Sequence, residues 1–213
     1  MIDRLNHMAR KLPNWVFYVL GPLPAAWLLW QGITGALGVD PVKVIEHELG
    51  LIALQLLIAG LLITPLRRYA GLNLIKWRRP IGILAFVYVV FHLLVWVLLD
   101  MQLYWDQMLR DIAKRPYITI GMASCLLLLP LAVTSNNRSL RRLGVASWTK
   151  LHRLVYPAIL LGGVHFVMVQ KVWEAEALAY LAVILGLLAL RLRPLMTWLS
   201  KRRAASNVPG SVN

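Results

Sequence analysis

Between Arg79 and Asp100 the chain reads PIGILAFVYVVFHLLVWVLL (80–99), a stretch without a single Asp, Glu, Lys or Arg. At 1.5 Å per residue, a helix of that length reaches about 30 Å, the thickness of a bilayer's hydrocarbon core. It is too long for a strand, and it lacks the polar stripe that a helix facing water would show. The reading is a membrane-crossing helix over 81–99. The same test finds five more spans, at 15–37, 49–66, 117–134, 151–169 and 177–192. Only the last two contain a formal charge, Arg153 near the start of one and Arg191 near the end of the other, where long side chains can snorkel.

Composition agrees. Of 213 residues 59% are hydrophobic and 15% charged, where a soluble domain carries about 25% charged residues. An ordinary soluble enzyme and a disordered chain are both excluded. Cys125 is the only cysteine, so an internal disulfide, a Cys-ligated zinc site and a Cys-ligated iron–sulfur cluster are excluded too. The reading is a single domain over 1–203 followed by a disordered tail at 204–213.

The net charge of +14 is distributed by topology. Alternate connections on one side hold 18 basic residues against one acid, Asp3, and those on the other hold five against eight. The positive-inside rule then places both termini in the cytoplasm and makes the basicity a membrane signal, not a nucleic-acid footprint. The expected architecture is an all-α integral membrane protein, a bundle of six transmembrane helices in the lipid bilayer. One rival concerns only the first run, whose basic start and Ala36-Leu37-Gly38 end resemble a cleavable signal peptide.

Ionisable groups within a bilayer are costly and by default functional. Here the deep ones are His92 and His165, with His152 at the cytoplasmic mouth of the fifth span. No Asp or Glu stands at mid-membrane, which argues against a pump or an ion-coupled transporter. His92 lies 13 residues beyond Arg79 and His165 lies 13 beyond His152, so each is about 20 Å along a helix of the same direction. Two imidazoles at matched depth can hold one haem iron from opposite faces, an arrangement suited to electron transfer. Either histidine alone could equally hydrogen-bond a neighbouring helix, which keeps a non-redox bundle as the alternative. His152, at the interface, reads either as a ligand or as a solvated side chain. His47 is expected to be solvated and Cys125 an inert small hydrophobe, while the nine Trp serve as interfacial anchors and packing. Arg78, Arg79 and Arg153 stand where a haem propionate or a phosphate could meet them. No GxGxxG and no soluble nucleotide-binding domain is present, so flavin binding has no signature of its own.

Pro157 and Gly162-Gly163 lie between His152 and His165, whose side chains on a straight helix would point nearly opposite ways. A change of helical winding between Arg153 and Gly163 is therefore expected.

A series of short motifs runs through the chain in order: Asp40-Pro41-Val42-Lys43, Leu62-Ile63-Thr64-Pro65-Leu66, Arg78-Arg79-Pro80-Ile81-Gly82 and His92-Leu93. It continues with Lys114-Arg115-Pro116-Tyr117, Thr134-Ser135-Asn136, Trp148-Thr149-Lys150-Leu151-His152-Arg153-Leu154-Val155-Tyr156 and His165. Over roughly 15–195 this resembles the haem-binding membrane subunits of bacterial periplasmic methionine sulfoxide reductase systems, which are ferric-reductase-like transmembrane proteins. The resemblance implies an inner-membrane b-type cytochrome with haem b and FMN, and haem ligands at His92, His152 and His165. It implies a periplasmic molybdenum-cofactor methionine sulfoxide reductase as electron acceptor, serving repair of oxidised proteins. The implied donor is the quinone pool or a cytoplasmic flavin reductase. It assigns this chain no catalytic residue, and direct ferric reduction remains an alternative. The wider group carries two histidines on each of two helices, whereas the position level with His152 is here Arg79, which cannot be a normal ligand. The sequence therefore supports one bis-histidine site at most.

Overall fold

The computed structural model describes residues 2–170 and 172–206, and for 192–206 the backbone alone. Ten α-helices are present among them, and no strand. Helix α1 (Ile2–Lys11) is short and amphipathic. Its Asn6 donates to the Gly71 carbonyl at 3.1 Å and accepts from the Asn73 N–H at 2.8 Å, tying it to the connection after α4.

The first apolar run is broken. Pro22 and Pro24 have no N–H, so the Tyr18 and Leu20 carbonyls lose their helical donors and the run divides into α2 (Trp15–Leu20) and α3 (Leu23–Ile33). Tyr88 spans to this break and donates its hydroxyl to the Gly21 carbonyl at 2.7 Å.

Helix α4 (Pro41–Tyr69) starts well before its apolar run, because Asp40 caps it by accepting from the Lys43 N–H at 3.2 Å and Pro41 fits the first turn. A 3₁₀ turn (Ile75–Trp77) leads into α5 (Arg78–Val95), which ends in a π turn at Trp96–Asp100. The amphipathic α6 (Trp105–Lys114) then buries Met108 against Trp96, Met101 and Ile118. Pro116 leaves the Ile112 carbonyl without a helical donor, and Thr119 supplies its hydroxyl instead at 2.6 Å, so the chain turns there into α7 (Pro116–Val133).

Helix α8 (Asn137–Leu151) is kinked at Gly144, whose φ of +74° is open only to glycine at little cost. Winding tightens to 3₁₀ at His152–Leu154 before α9 (Val155–Val169). The expected change of winding is therefore present, but at the start of the predicted interval. Pro157 deprives the Arg153 carbonyl of its donor there, and from Val155 through Gly162-Gly163 the helix is continuous. The last helix, α10 (Ala175–Ser206), covers the place of the sixth expected span and extends to Ser206, into the stretch read as a tail; residues 207–213 lie outside the described residues.

By length and composition, five segments among the described residues can cross a membrane: Trp15–Ile33, Pro41–Tyr69, Ile75–Asp100, Pro116–Val133 and Asn137–Val169. Packing is dominated by two antiparallel pairs, α4 with α5 and α7 with α9, and α10 lies against α9 and α4. The main core joins the pairs through Leu57, Leu61, Ala85, Leu128, Ile159 and Ile184. Inside it, Ser124 donates to the Ala158 carbonyl at 2.8 Å, and on the exposed side Gln55 links α4 to α10 by donating to the Tyr180 hydroxyl at 2.7 Å.

Candidate functional site

Each of the two helix pairs contributes one histidine in the same way. On α5, His92 Nδ1 lies 2.8 Å from the Glu46 carbonyl of α4. On α9, His165 Nδ1 lies 2.8 Å from the Tyr117 carbonyl of α7. A carbonyl only accepts, so in both rings Nδ1 carries the hydrogen and a neutral Nε2 presents a lone pair.

Four residues along from each acceptor carbonyl stands a glycine facing the imidazole. A Cβ on Gly50 would lie 3.1 Å from His92 Nδ1, and one on Gly121 would lie 2.9 Å from His165 Nδ1. With hydrogen in place of a methyl group, each ring reaches across to the neighbouring backbone. The carbonyls at Glu46 and Tyr117, with Gly50 and Gly121, are site features that the sequence reading missed. A glycine four residues after an acceptor, on the helix preceding each histidine, is the signal that could have found them.

The two rings meet. Their centroids are 6.2 Å apart and their planes cross at 77°. Two metal–nitrogen bonds of about 2.0–2.1 Å, with about 1.2 Å from each nitrogen to its ring centre, require about 6.4 Å in a linear arrangement. The observed separation of 6.2 Å leaves room for one metal atom between the two rings. Among the described residues no cluster of three or more His, Cys, Asp or Glu could hold a bare ion. Two imidazoles without a third protein ligand would suit a metal carried in a prosthetic group, as haem iron is.

Space for such a group lies beside them. His92 and His165 line a cavity of about 410 Å³, within the range of small-molecule and cofactor sites. Its depth is apolar, with Leu54, Leu57 and Leu128, and its mouth is charged, with Lys43, Glu46, Asp100 and Arg115. The π turn after His92 places Asp100 2.8 Å from Lys43 Nζ, which also approaches Glu46 at 3.5 Å. His47 is exposed at the rim, beside Phe166. Cys125 is half-buried on the wall.

The remaining candidates are elsewhere, at the opposite, basic end of the bundle. His152 stacks on Trp148 with ring centres 3.7 Å apart. Its Nε2 lies 3.1 Å from the Thr134 hydroxyl, whose own hydrogen goes to the Pro130 carbonyl at 2.6 Å. Nε2 of His152 therefore donates, where Nε2 of the other two is free to ligate. Arg79 donates to Asn137 Oδ1 at 2.7 Å, and Arg78 and Arg153 are exposed. The structure brings His92 and His165 together and keeps His152, Arg78, Arg79 and Arg153 apart from them.

Residues 49–163, which include both histidine-facing glycines, match the family "Ferric reductase like transmembrane component". Relatives from Brucella ovis, Brucella canis and Brucella abortus, each named "Protein-methionine-sulfoxide reductase heme-binding subunit MsrQ", are 49% identical over 178 residues. The alignment covers 84% of this chain and 80% of each relative. The chain belongs to the ferric-reductase-like transmembrane family and, within it, to the MsrQ group.

Proposed function

We propose that this chain is the haem-carrying membrane subunit of a methionine sulfoxide reductase system, a b-type cytochrome that relays electrons and leaves substrate chemistry to its partner. The observation that carries the reading is the facing pair His92 and His165, 6.2 Å apart, each with Nδ1 tied to a carbonyl of the adjoining helix.

Haem iron, when bound, supplies one-electron redox chemistry. His92 and His165 would hold the iron through Nε2, and the Glu46 and Tyr117 carbonyls fix the ring orientations and raise the basicity of Nε2. Leu54, Leu57 and Leu128 keep water from the depth of the cavity. Two protein ligands on the iron would leave little room there for a substrate, which favours relay over oxygen, sulfoxide or direct ferric chemistry. His152, the third ligand that the resemblance implies, would belong to a separate inner site alongside Arg78, Arg79 and Arg153.

The reading places the cavity mouth, with Glu46, Asp100 and Arg115, on the periplasmic side of the bacterial inner membrane. There it would meet a molybdenum-cofactor reductase through a small, transient contact. Electrons would arrive at the basic end from quinone or a cytoplasmic flavin reductase, with FMN as the flavin that the resemblance suggests. Six spans and cytoplasmic termini, supported by the distribution of basic residues, complete the arrangement.

The test is haem content and spectrum of the purified protein. A low-spin bis-histidine spectrum is expected, absent from His92→Ala and His165→Ala. The reduced protein should reoxidise when the partner reductase and a sulfoxide are supplied together. A colourless preparation after haem-supplemented expression, or full haem occupancy in both variants, would overturn the reading.

A further inference from the structure

The basic end of the bundle contains an arginine arrangement that the haem pair does not use. Pro65 lies inside α4 and has no N–H, so the Leu61 carbonyl loses its helical donor. Arg191 of α10 replaces it: Nη2 donates to the Leu61 carbonyl at 2.5 Å. Nη1 donates to the Tyr156 hydroxyl at 3.0 Å, and the guanidinium lies 5.4 Å from the centre of the Tyr156 ring. Of its remaining donors, the Nε N–H is buried and has no partner among the described residues. Arg78, at the first turn of α5, stands beside the same Tyr156 hydroxyl and within electrostatic reach of Arg191.

Among the described residues no ion pair neutralises these arginines, and Asp3 is the single acid assigned to this end of the chain. The sequence has no Asp or Glu between Glu48 and Asp100, between Asp111 and Glu174, or after Glu176. All three ion pairs among the described residues involve Lys43 or Arg115, at the far end. Two guanidiniums around one hydroxyl repel each other, and desolvating the half-buried Arg191 without a counter-charge is costly. Tyr156 accepts from Arg191, so its own hydrogen is free to point at a third group. Planar guanidinium donors and a hydroxyl donor converging without an acid match a phosphoryl oxyanion.

We propose that Arg191, Tyr156 and Arg78 form a binding site for a phosphate group, at the level where the bundle meets the membrane–water interface. Two sources offer that chemistry, the headgroup of an anionic phospholipid and a free phosphate. The site shares Arg78 with the inner site proposed around His152 but is independent of the His92–His165 pair, since its occupancy is measured without reference to redox activity.

Thermal midpoints of the purified, haem-loaded protein in neutral detergent provide the test, with three additions titrated separately. These are short-chain phosphatidylglycerol, short-chain phosphatidylcholine and inorganic phosphate. The expected result is a saturable rise in midpoint with phosphatidylglycerol or with inorganic phosphate. Half-saturation should be at least tenfold weaker in Arg191→Gln and in Arg78→Gln, and unchanged in Arg142→Gln, a change at an exposed arginine of α8. A response to phosphatidylglycerol alone assigns a lipid headgroup, and a response to inorganic phosphate assigns a free phosphate. Should Arg191→Gln fail to fold, the exposed Arg78 still provides the variant. No saturable response in the wild type, or an equal response in Arg78→Gln, overturns the proposal. The haem spectrum, recorded in the same samples, reports separately on the histidine pair.

Discussion

Gly121 and His165 are in contact across two helices because one of them has no side chain. A Cβ on Gly121 would lie 2.9 Å from both Nδ1 and Cε1 of the imidazole. Gly50 and His92 repeat the relation at 3.1 Å. In both cases the carbonyl taken by Nδ1 belongs to the residue four positions before the glycine, so ring position and ring tautomer are set by the same helical turn.

Alanine at either glycine should therefore displace a ligand without removing it. Overpacking of this kind costs about 1–3 kcal/mol. Gly121→Ala should give a weaker, shifted haem spectrum and a changed midpoint potential, with the larger effect at Gly121 because its contact is closer. Gly82→Ala, where a Cβ would meet nothing within 4 Å, is the control. Absorbance and potentiometry of the three variants decide the matter; equal spectra in all three would remove the glycines from the site.

What was legible in the sequence was whatever depends on one helix at a time. Uncharged runs gave the spans, and counting 1.5 Å per residue from Arg79 and His152 placed His92 and His165 at matching depth. In the folded chain the two rings lie 6.2 Å apart. What escaped depends on partners distant in sequence. No local pattern couples Gly50 to His92, because the contact exists only once α4 and α5 pack. Polar helix ends also escaped: the second span was read from 49, after the charged Lys43, Glu46 and Glu48, yet Asp40 caps a helix that already begins at Pro41. Helix α6 alternates Asp, Arg and Lys with Met and Leu, and it folds only because Met108 finds Trp96. Arg191 read simply as an interfacial arginine, since nothing beside it reveals that Pro65 leaves a carbonyl open.

The three histidines should separate in a single experiment. His92→Ala and His165→Ala each remove one axial position and should lose the low-spin bis-histidine signal. His152→Ala should keep that signal, because its ring is stacked on Trp148 and bonded to Thr134, away from the pair. Electron paramagnetic resonance of the oxidised proteins distinguishes these outcomes. Loss of the signal in His152→Ala would place that residue in the ligand set of the same iron.

Orientation is open to a direct check. With 18 basic residues on one side against five on the other, a reporter fused after Asn213 should read cytoplasmic. One inserted near Asp106, in α6, should read periplasmic. A cytoplasmic reading at Asp106 would reverse the direction of the proposed relay.

Charge at the cavity mouth should tune the iron in opposite directions. Lys43 and Asp100 form a partly exposed ion pair at 2.8 Å, so breaking it costs at most about 1 kcal/mol of stability. Their separate effects on a nearby redox centre are another matter. Reduction adds an electron to the haem, and a neighbouring cation favours the reduced state while an anion opposes it. Lys43→Met removes the cation and should lower the midpoint potential; Asp100→Asn removes the anion and should raise it. Coulomb's law with an effective dielectric of about 20, reduced further by salt at an exposed side chain, gives shifts on the order of tens of millivolts. Potentiometric titration at low and high salt would show both the signs and the screening. Shifts of the same sign in the two variants would mean that structural rearrangement at the π turn, and not charge, governs the potential.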